Sequence, residues 1–219
     1  IIGNEAGDLE GGIVNSVVIG YRAGATGVGY YEGATAVGYQ AMGQNSGIDS
    51  VAIGNNALWN GGNESVAVGT RALDAGGSGC TAIGHESLTD LVGNTDGCTA
   101  VGYFSGANIT TGADNTIIGA NTALALTTGS ENVILGRSSN TTATANRVVG
   151  VGFSSNADAN ESIAIGANSS TTGVNSIAIG TGASSAGTNA VVVGNGASTG
   201  AAGDFSVVLG DGATSIIAE

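Results

Sequence analysis

The side chains able to do chemistry in this 219-residue chain are few: one histidine, His85, two cysteines, Cys80 and Cys98, and no lysine beside 4 arginines. Catalysis by a nucleophile needs that group held against a base and an orienting acid. No constellation of serine, cysteine and acid recurs beside His85, so a non-enzymatic protein without a cofactor is expected. Two cysteines alone make a poor zinc site, which usually takes four ligands. The acid pairs Asp49 with Glu64 and Asp114 with Glu131 could hold a cation. The calcium-binding nonapeptide of other repeat proteins is missing, however. Solvated turns account for these acids, and no metal site is expected.

What remains is recognition. Aromatic side chains stack on sugars and dominate protein hot spots. Tyr21, Tyr31, Tyr39, Trp59, Tyr103 and Phe153, together with His85, are therefore the candidate contacts for a cell-surface glycan or protein receptor. Against that, any one of them can simply cover small neighbours. A formal net charge of −13 argues against nucleic acid and against anionic membrane as partners. The low share of charged residues, 10%, leaves much of the surface to be covered by another chain.

These residues are positioned by a repeat. Ser162-Ile163-Ala164-Ile165-Gly166 returns as Ser176-Ile177-Ala178-Ile179-Gly180 and as Ala190-Val191-Val192-Val193-Gly194. A glycine after a β-branched residue or Leu recurs from Gly3 to Gly210 at intervals of 14–18 residues. A period this short predicts an all-β parallel β-solenoid of about fourteen coils, read as a single repeat domain over residues 1–219. Coils of 15–18 residues fill 1–149 and coils of 14–16 fill 150–219. The absence of proline and the presence of 41 glycines suit a chain that is mostly hydrogen-bonded ladder and tight turn. Only the stretch from Ala23 to Gly38, where Val28-Gly29-Tyr30 mimics a marker, reads as an irregular coil.

The residues one and three before each marker share a strand face. Ile53, Val68, Ile83, Ile165, Ile179 and Val193 lie on that β-branched face and are expected to form the core, closed off by Gly166, Gly180 and Gly194. The residue between them is apolar but small, so both faces should be covered, the small one by sister chains. A second short strand should follow each marker, beginning at a row of Ala, Ser and Thr. In the first half Met42, Leu58, Leu73 and Leu88 follow that row, as if an extra turn packed on the solenoid.

Cys80 and Cys98 stand four residues before Gly84 and Gly102, where Ser50, Ser65, Ser162 and Ser176 stand elsewhere. Stacked strands lie about 4.8 Å apart, a separation that a disulfide accepts. Two readings stay open: a Cys80–Cys98 disulfide in an oxidising compartment, or two free thiols filling a small slot.

The phrase Asn175-Ser176-Ile177-Ala178-Ile179-Gly180, followed by Ala183 and closed by Gly187, resembles the YadA-type head repeat of trimeric autotransporter adhesins. Longer coils such as Asp49-Ser50-Val51-Ala52-Ile53-Gly54-Asn55-Asn56-Ala57-Leu58 resemble the related heads of phage and viral tail fibres. The resemblance implies a left-handed β-roll, a homotrimer, and an extracellular place on a bacterial surface or virion tail fibre with a role in host attachment. The coils longer than 14 residues and the irregular Gly150 depart from the pattern.

No apolar run approaches membrane-spanning length, so no direct membrane insertion by this segment is expected. Because the chain opens inside a repeat at Ile1-Ile2-Gly3, it reads as an internal segment of a longer protein. Two alternatives carry less support. One is a monomeric ligand-binding solenoid, for ice or polysaccharide; binding ice needs a flat outward row of threonines, yet Thr81, Thr99 and Thr116 share their phase with valines. A polysaccharide-cleaving β-helix needs clustered carboxylates, and here the acids are dispersed.

Overall fold

Each repeat forms a strand of three residues that stops at the marker glycine, and the stop has a steric cause. The computed structural model describes residues 1–7, 12–25, 31–44, 47–92, 97–200 and 203–215; Val28-Gly29-Tyr30 lies outside them. Gly166, Gly180 and Gly194 have φ of 134°, 135° and 149°. Side chains exclude that region, so only glycine turns the chain there cheaply. Two further corners per coil use the left-handed region, at Glu161, Asn175 and Asn189 before the strands and at Ser154 and Asn168 after the markers. Asn, Asp and Gly tolerate that conformation best, which accounts for the polar composition of the connections.

The chain forms two compact units, Ile1–Asp114 and Asn115–Glu219. In the first are β1 (Ile13–Val14), β2 (Val17–Ile19), β3 (Tyr31–Glu32), β4 (Thr35–Val37), β5 (Val51–Ile53), β6 (Val66–Val68), β7 (Thr81–Ile83) and β8 (Thr99–Val101). β2 and β4 to β8 pair in sequence as parallel strands in the phase set by the markers, with Val51 opposite Val66 and Val66 opposite Thr81. β1 pairs with β3 separately. At the amino end Ile2 makes an isolated parallel bridge to Ile19.

The second unit holds β9 (Thr116–Ile118), β10 (Val133–Leu135), β11 (Val149–Val151), β12 (Asn156–Ala157), β13 (Ile163–Ile165) and β14 (Ser170–Thr171). It continues with β15 (Ile177–Ile179), β16 (Ser184–Ser185), β17 (Val191–Val193), β18 (Ser198–Thr199) and β19 (Val207–Leu209). The three-residue strands form one parallel ladder from β9 to β19. The two-residue strands form a second, from β12 to β18. Among the described residues only the coils that follow Gly152, Gly166, Gly180 and Gly194 carry the expected second strand; the first unit has turns in its place. Each unit makes six turns of a parallel solenoid, about twelve in all where the markers led to fourteen coils, and no helix occurs among the described residues.

The core is the reverse of the sequence expectation. The middle residue of the three-residue strands points inward and is small in most coils: Ala52, Ala67, Ala82, Ala164, Ala178 and Val192 are fully buried, with the larger Ile117 and Ile134 in coils longer than 14 residues. Opposite them stand the equally buried Ala57, Ala72, Ser87, Ser169, Ala183 and Ala197. The proposed core residues face outward. Ile53, Ile83 and Ile179 are 41%, 40% and 37% exposed, and Val68, Ile165 and Val193 are half-buried. A coil of 14 residues encloses too narrow a section for two branched side chains to meet across it, so the smaller face goes inside and the larger goes out.

Longer coils enclose more. In the first unit Met42, Leu58, Leu73 and Leu88 are fully buried. The extra turn they accompany, closed by Gly61 N donating to Leu58 O at 3.0 Å, widens the interior instead of packing on its outside. Gly150 has its own cause. A β-carbon on it would lie 3.3 Å from Ser139 Oγ and 3.5 Å from Ser155 Oγ, and those two hydroxyls, in the same phase of neighbouring coils, hydrogen-bond each other at 2.5 Å.

Candidate functional site

Two parallel rows of outward side chains run along each unit on either side of the marker glycines. The row before the markers is aliphatic and includes Ile19, Ile53 and Ile83 in the first unit and Ile118, Ile179 and Leu209 in the second, all exposed. Register stacks them, since Ile53 lies opposite Val68 and Val68 opposite Ile83. An apolar stripe of this kind is unusual on a monomer and marks an interaction surface.

The row directly after the markers carries most of the candidate receptor contacts. Tyr21, Tyr39, Tyr103 and Phe153 are exposed, and so is His85. Because successive coils repeat the phase, rings in adjacent coils meet. Tyr21 stacks on Tyr39 with centroids 5.4 Å apart, and His85 stacks on Tyr103 at 5.3 Å. Phe104, which the sequence did not single out, packs its edge against Tyr103 at 4.5 Å and against His85 at 5.4 Å. In the second unit the Arg137 guanidinium lies 5.9 Å from the centre of the Phe153 ring, a cation–π contact.

Two of the candidates serve packing. Tyr31 is fully buried, its hydroxyl donating to the Met42 carbonyl, and burial pushes that hydroxyl above its ordinary pKa. It fills an irregular coil and cannot meet a receptor. Trp59 is half-buried. Its ring occupies the space a side chain on Gly43 would need, with Cζ3 only 1.7 Å from where that β-carbon would stand.

Beside His85 lies a charged cluster. Arg71 is held by Asp74 at 3.2 Å and by Glu86 at 3.1 Å, and Glu86 stands 3.9 Å from His85 Nε2. Burial raises the Asp74 pKa against the pull of Arg71. Among the described residues no three His, Cys, Asp or Glu side chains come together to hold a metal ion.

Cys80 and Cys98 are both buried, with no disulfide between them. Cys80 Sγ donates to Ser78 O at 3.3 Å and Cys98 Sγ to Gly112 O at 3.2 Å. Thr81 N donates to Cys98 O, which places the two cysteines on neighbouring coils as the spacing implied. The same buried phase holds Ser50 and Ser65, and in the second unit Asn115 and Asn132. Asn132 Nδ2 donates to Ala145 O at 2.8 Å, while its Oδ1 accepts from Val148 N at 3.0 Å. These residues tie one coil to the next, a role their alignment with Ser50 could have revealed.

A family model for the YadA head domain repeat matches residues 46–58, 149–169 and 172–197. No curated protein matches the chain. The matched stretches contain β5, β11, β13, β15 and β17, each a three-residue strand with a small inward residue and a marker glycine behind it. The chain carries YadA-like head repeats.

Proposed function

We propose that this chain is a head segment of a homotrimeric, adhesin-like surface fibre, non-enzymatic, that attaches its bearer to a receptor on a host or other surface. In this reading the coils wind left-handedly, and the fibre works outside the cell, on a bacterial surface or a virion tail. The observation that carries the reading is the outward aliphatic row. Ile53, Ile83, Ile118 and Ile179 are β-branched side chains of the kind that fill protein cores, yet they stand exposed on a single chain. Burying such a side chain contributes about 1.5–3 kcal/mol, and the row repeats it coil after coil. Closed cyclic symmetry lets identical rows shelter one another without leaving an open edge.

Two measurements test it. Solution molar mass should equal three chains, and a stable soluble monomer would overturn the trimer. The trimer should also be retained on whole cells bearing its receptor, and failure to bind any cell surface tried, in a correctly assembled trimer, would count against attachment.

The ice-binding alternative has a specific observation against it among the described residues. The outward strand positions Val51, Val66, Thr81 and Thr99 mix valine with threonine in one row, where an ice-binding face needs threonine throughout.

A further inference from the structure

The row after the markers contains a gap with aromatic walls. In order along the first unit it reads Tyr21, Tyr39, Asn55, Thr70, His85 and Tyr103. Tyr21 covers one face of Tyr39, and Tyr103 covers one face of His85. The remaining faces of Tyr39 and His85 therefore look toward each other along the row. Between them in this row stand the exposed, small and polar Asn55 and Thr70. Three coil spacings separate the two rings, which at about 4.8 Å each makes a slot of about 14 Å.

We propose that this slot binds a neutral oligosaccharide of a cell-surface polysaccharide, an inference that rests on the attachment reading above and names its ligand class. A pyranose ring presents a flat face of C–H bonds that packs on an aromatic face in van der Waals contact at about 3.5–4 Å. The slot takes one such ring against Tyr39 and another against His85. The Asn55 amide and the Thr70 hydroxyl on its floor can each donate and accept, as sugar hydroxyls require.

The charges select against anionic sugars. Glu86 stands beside His85, and the nearest guanidinium, Arg71, is already held by Asp74 and Glu86. A sialic acid or sulfate would meet carboxylates and no unpaired cation. A neutral ligand escapes that repulsion, and the net charge of −13 adds to the preference.

The stacked pairs also fix the walls. Each wall ring is backed by a partner in the adjacent coil, and Phe104 buttresses the His85 pair from the edge. A pre-set aromatic face loses little side-chain freedom when a ligand arrives.

The test is binding of the assembled chain to an array of neutral hexose oligosaccharides, with sialylated and sulfated oligosaccharides alongside. Neutral ligands alone should bind. Tyr39→Ala and His85→Ala should each weaken binding about tenfold, Thr70→Trp should abolish it by filling the slot, and Ser184→Ala, on the second ladder of the other unit, should leave it unchanged. Thermal melting of each variant reports that the coil is intact. Preference for anionic sugars, no binding to any neutral sugar, or binding by Tyr39→Ala and His85→Ala as tight as that of the parent chain overturns the slot. If those variants bind cells as the parent chain does, the slot falls and attachment stands; if the parent trimer binds no cells, attachment itself falls. A change in molar mass on Tyr39→Ala or His85→Ala would place the row in the seam between copies and likewise overturn the proposal.

Discussion

A β-carbon on Gly166 would stand 2.4 Å from the carbonyl oxygen of Gly180 in the next coil. Gly180 has the same relationship to Gly194, also at 2.4 Å. The marker glycines thus stack backbone on backbone, and both the φ near 135° and the close approach exclude a side chain. Gly180→Ala is expected to destabilise the fold by more than the ~1–3 kcal/mol of backbone strain alone, because the carbonyl it meets is not free to move. Gly196→Ala is the control. Its φ is 63° and nothing lies within 4 Å of its added carbon, so only the left-handed cost of about 1–2 kcal/mol applies. Chemical denaturation of the two variants should rank them in that order.

The steric demand at the marker is what made the fold legible. A residue that only glycine can be recurs without exception, so the period, the parallel register and the two-faced strands could be read from letters alone. Which face is inside could not, because Ile177, Ala178 and Ile179 are all apolar and the choice depends on how much section a 14-residue coil encloses. The site was partly legible for the same reason. The residue after each marker varies in Tyr21, Tyr39, His85 and Tyr103, which betrays exposure. Contacts between coils do not show in composition, so the Tyr21–Tyr39 and His85–Tyr103 stacks, the help from Phe104 and the burial of Tyr31 emerged only with the structure.

Asn132 links two coils through its buried amide, donating to Ala145 O and accepting from Val148 N. Asn132→Ala leaves both backbone groups without their partner in the interior, at about 1–3 kcal/mol for each orphaned group. Asn132→Ser should cost less. At the same phase the Ser65 hydroxyl donates to Gly77 O at 3.1 Å and accepts from Cys80 N at 3.2 Å, the equivalent two groups of the next coil, so a serine can recover at least one bond of the two. Equal melting temperatures for the Ala and Ser variants would remove the amide from the account.

The thiols of Cys80 and Cys98 fill a phase that serine fills in Ser50 and Ser65, and both are buried with no disulfide between them. Alkylation of the non-reduced, unfolded chain should add two labels, whereas the folded protein should label slowly. A chain that takes up none until it is reduced would restore the disulfide. Cys98→Ser should be tolerated with a change below about 1 kcal/mol, since the hydroxyl can donate to the Gly112 carbonyl that the thiol now meets.

Asp158 titrates above its ordinary value because burial disfavours the charged carboxylate. The folded state then binds more protons than the unfolded chain between the unfolded and folded pKa values. Stability from this group is therefore fully present below the unfolded value and falls as pH rises through the folded one. Asp158→Asn removes the charge while keeping an oxygen to accept from the Asn156 amide. The variant should melt higher than the parent at pH 7, and the difference should shrink as pH is lowered into the carboxylate range. A gap that widens on acidification would reverse the assignment.

Ile179 distinguishes a lone coil from an assembled one. On a single chain it is 37% exposed, so Ile179→Asp would place a carboxylate where water still solvates it and would cost little. In a closed trimer the same substitution puts three unpaired charges into covered apolar surface, where each costs several kcal/mol. The variant should therefore fold, with the strand content of the parent by circular dichroism, and lose the trimer by light scattering. Ala178→Asp is the contrast, because its side chain points into the coil and is fully buried; it should prevent folding whatever the number of chains. Ile179→Asp that keeps the parent mass would show that the aliphatic row is not what the copies share.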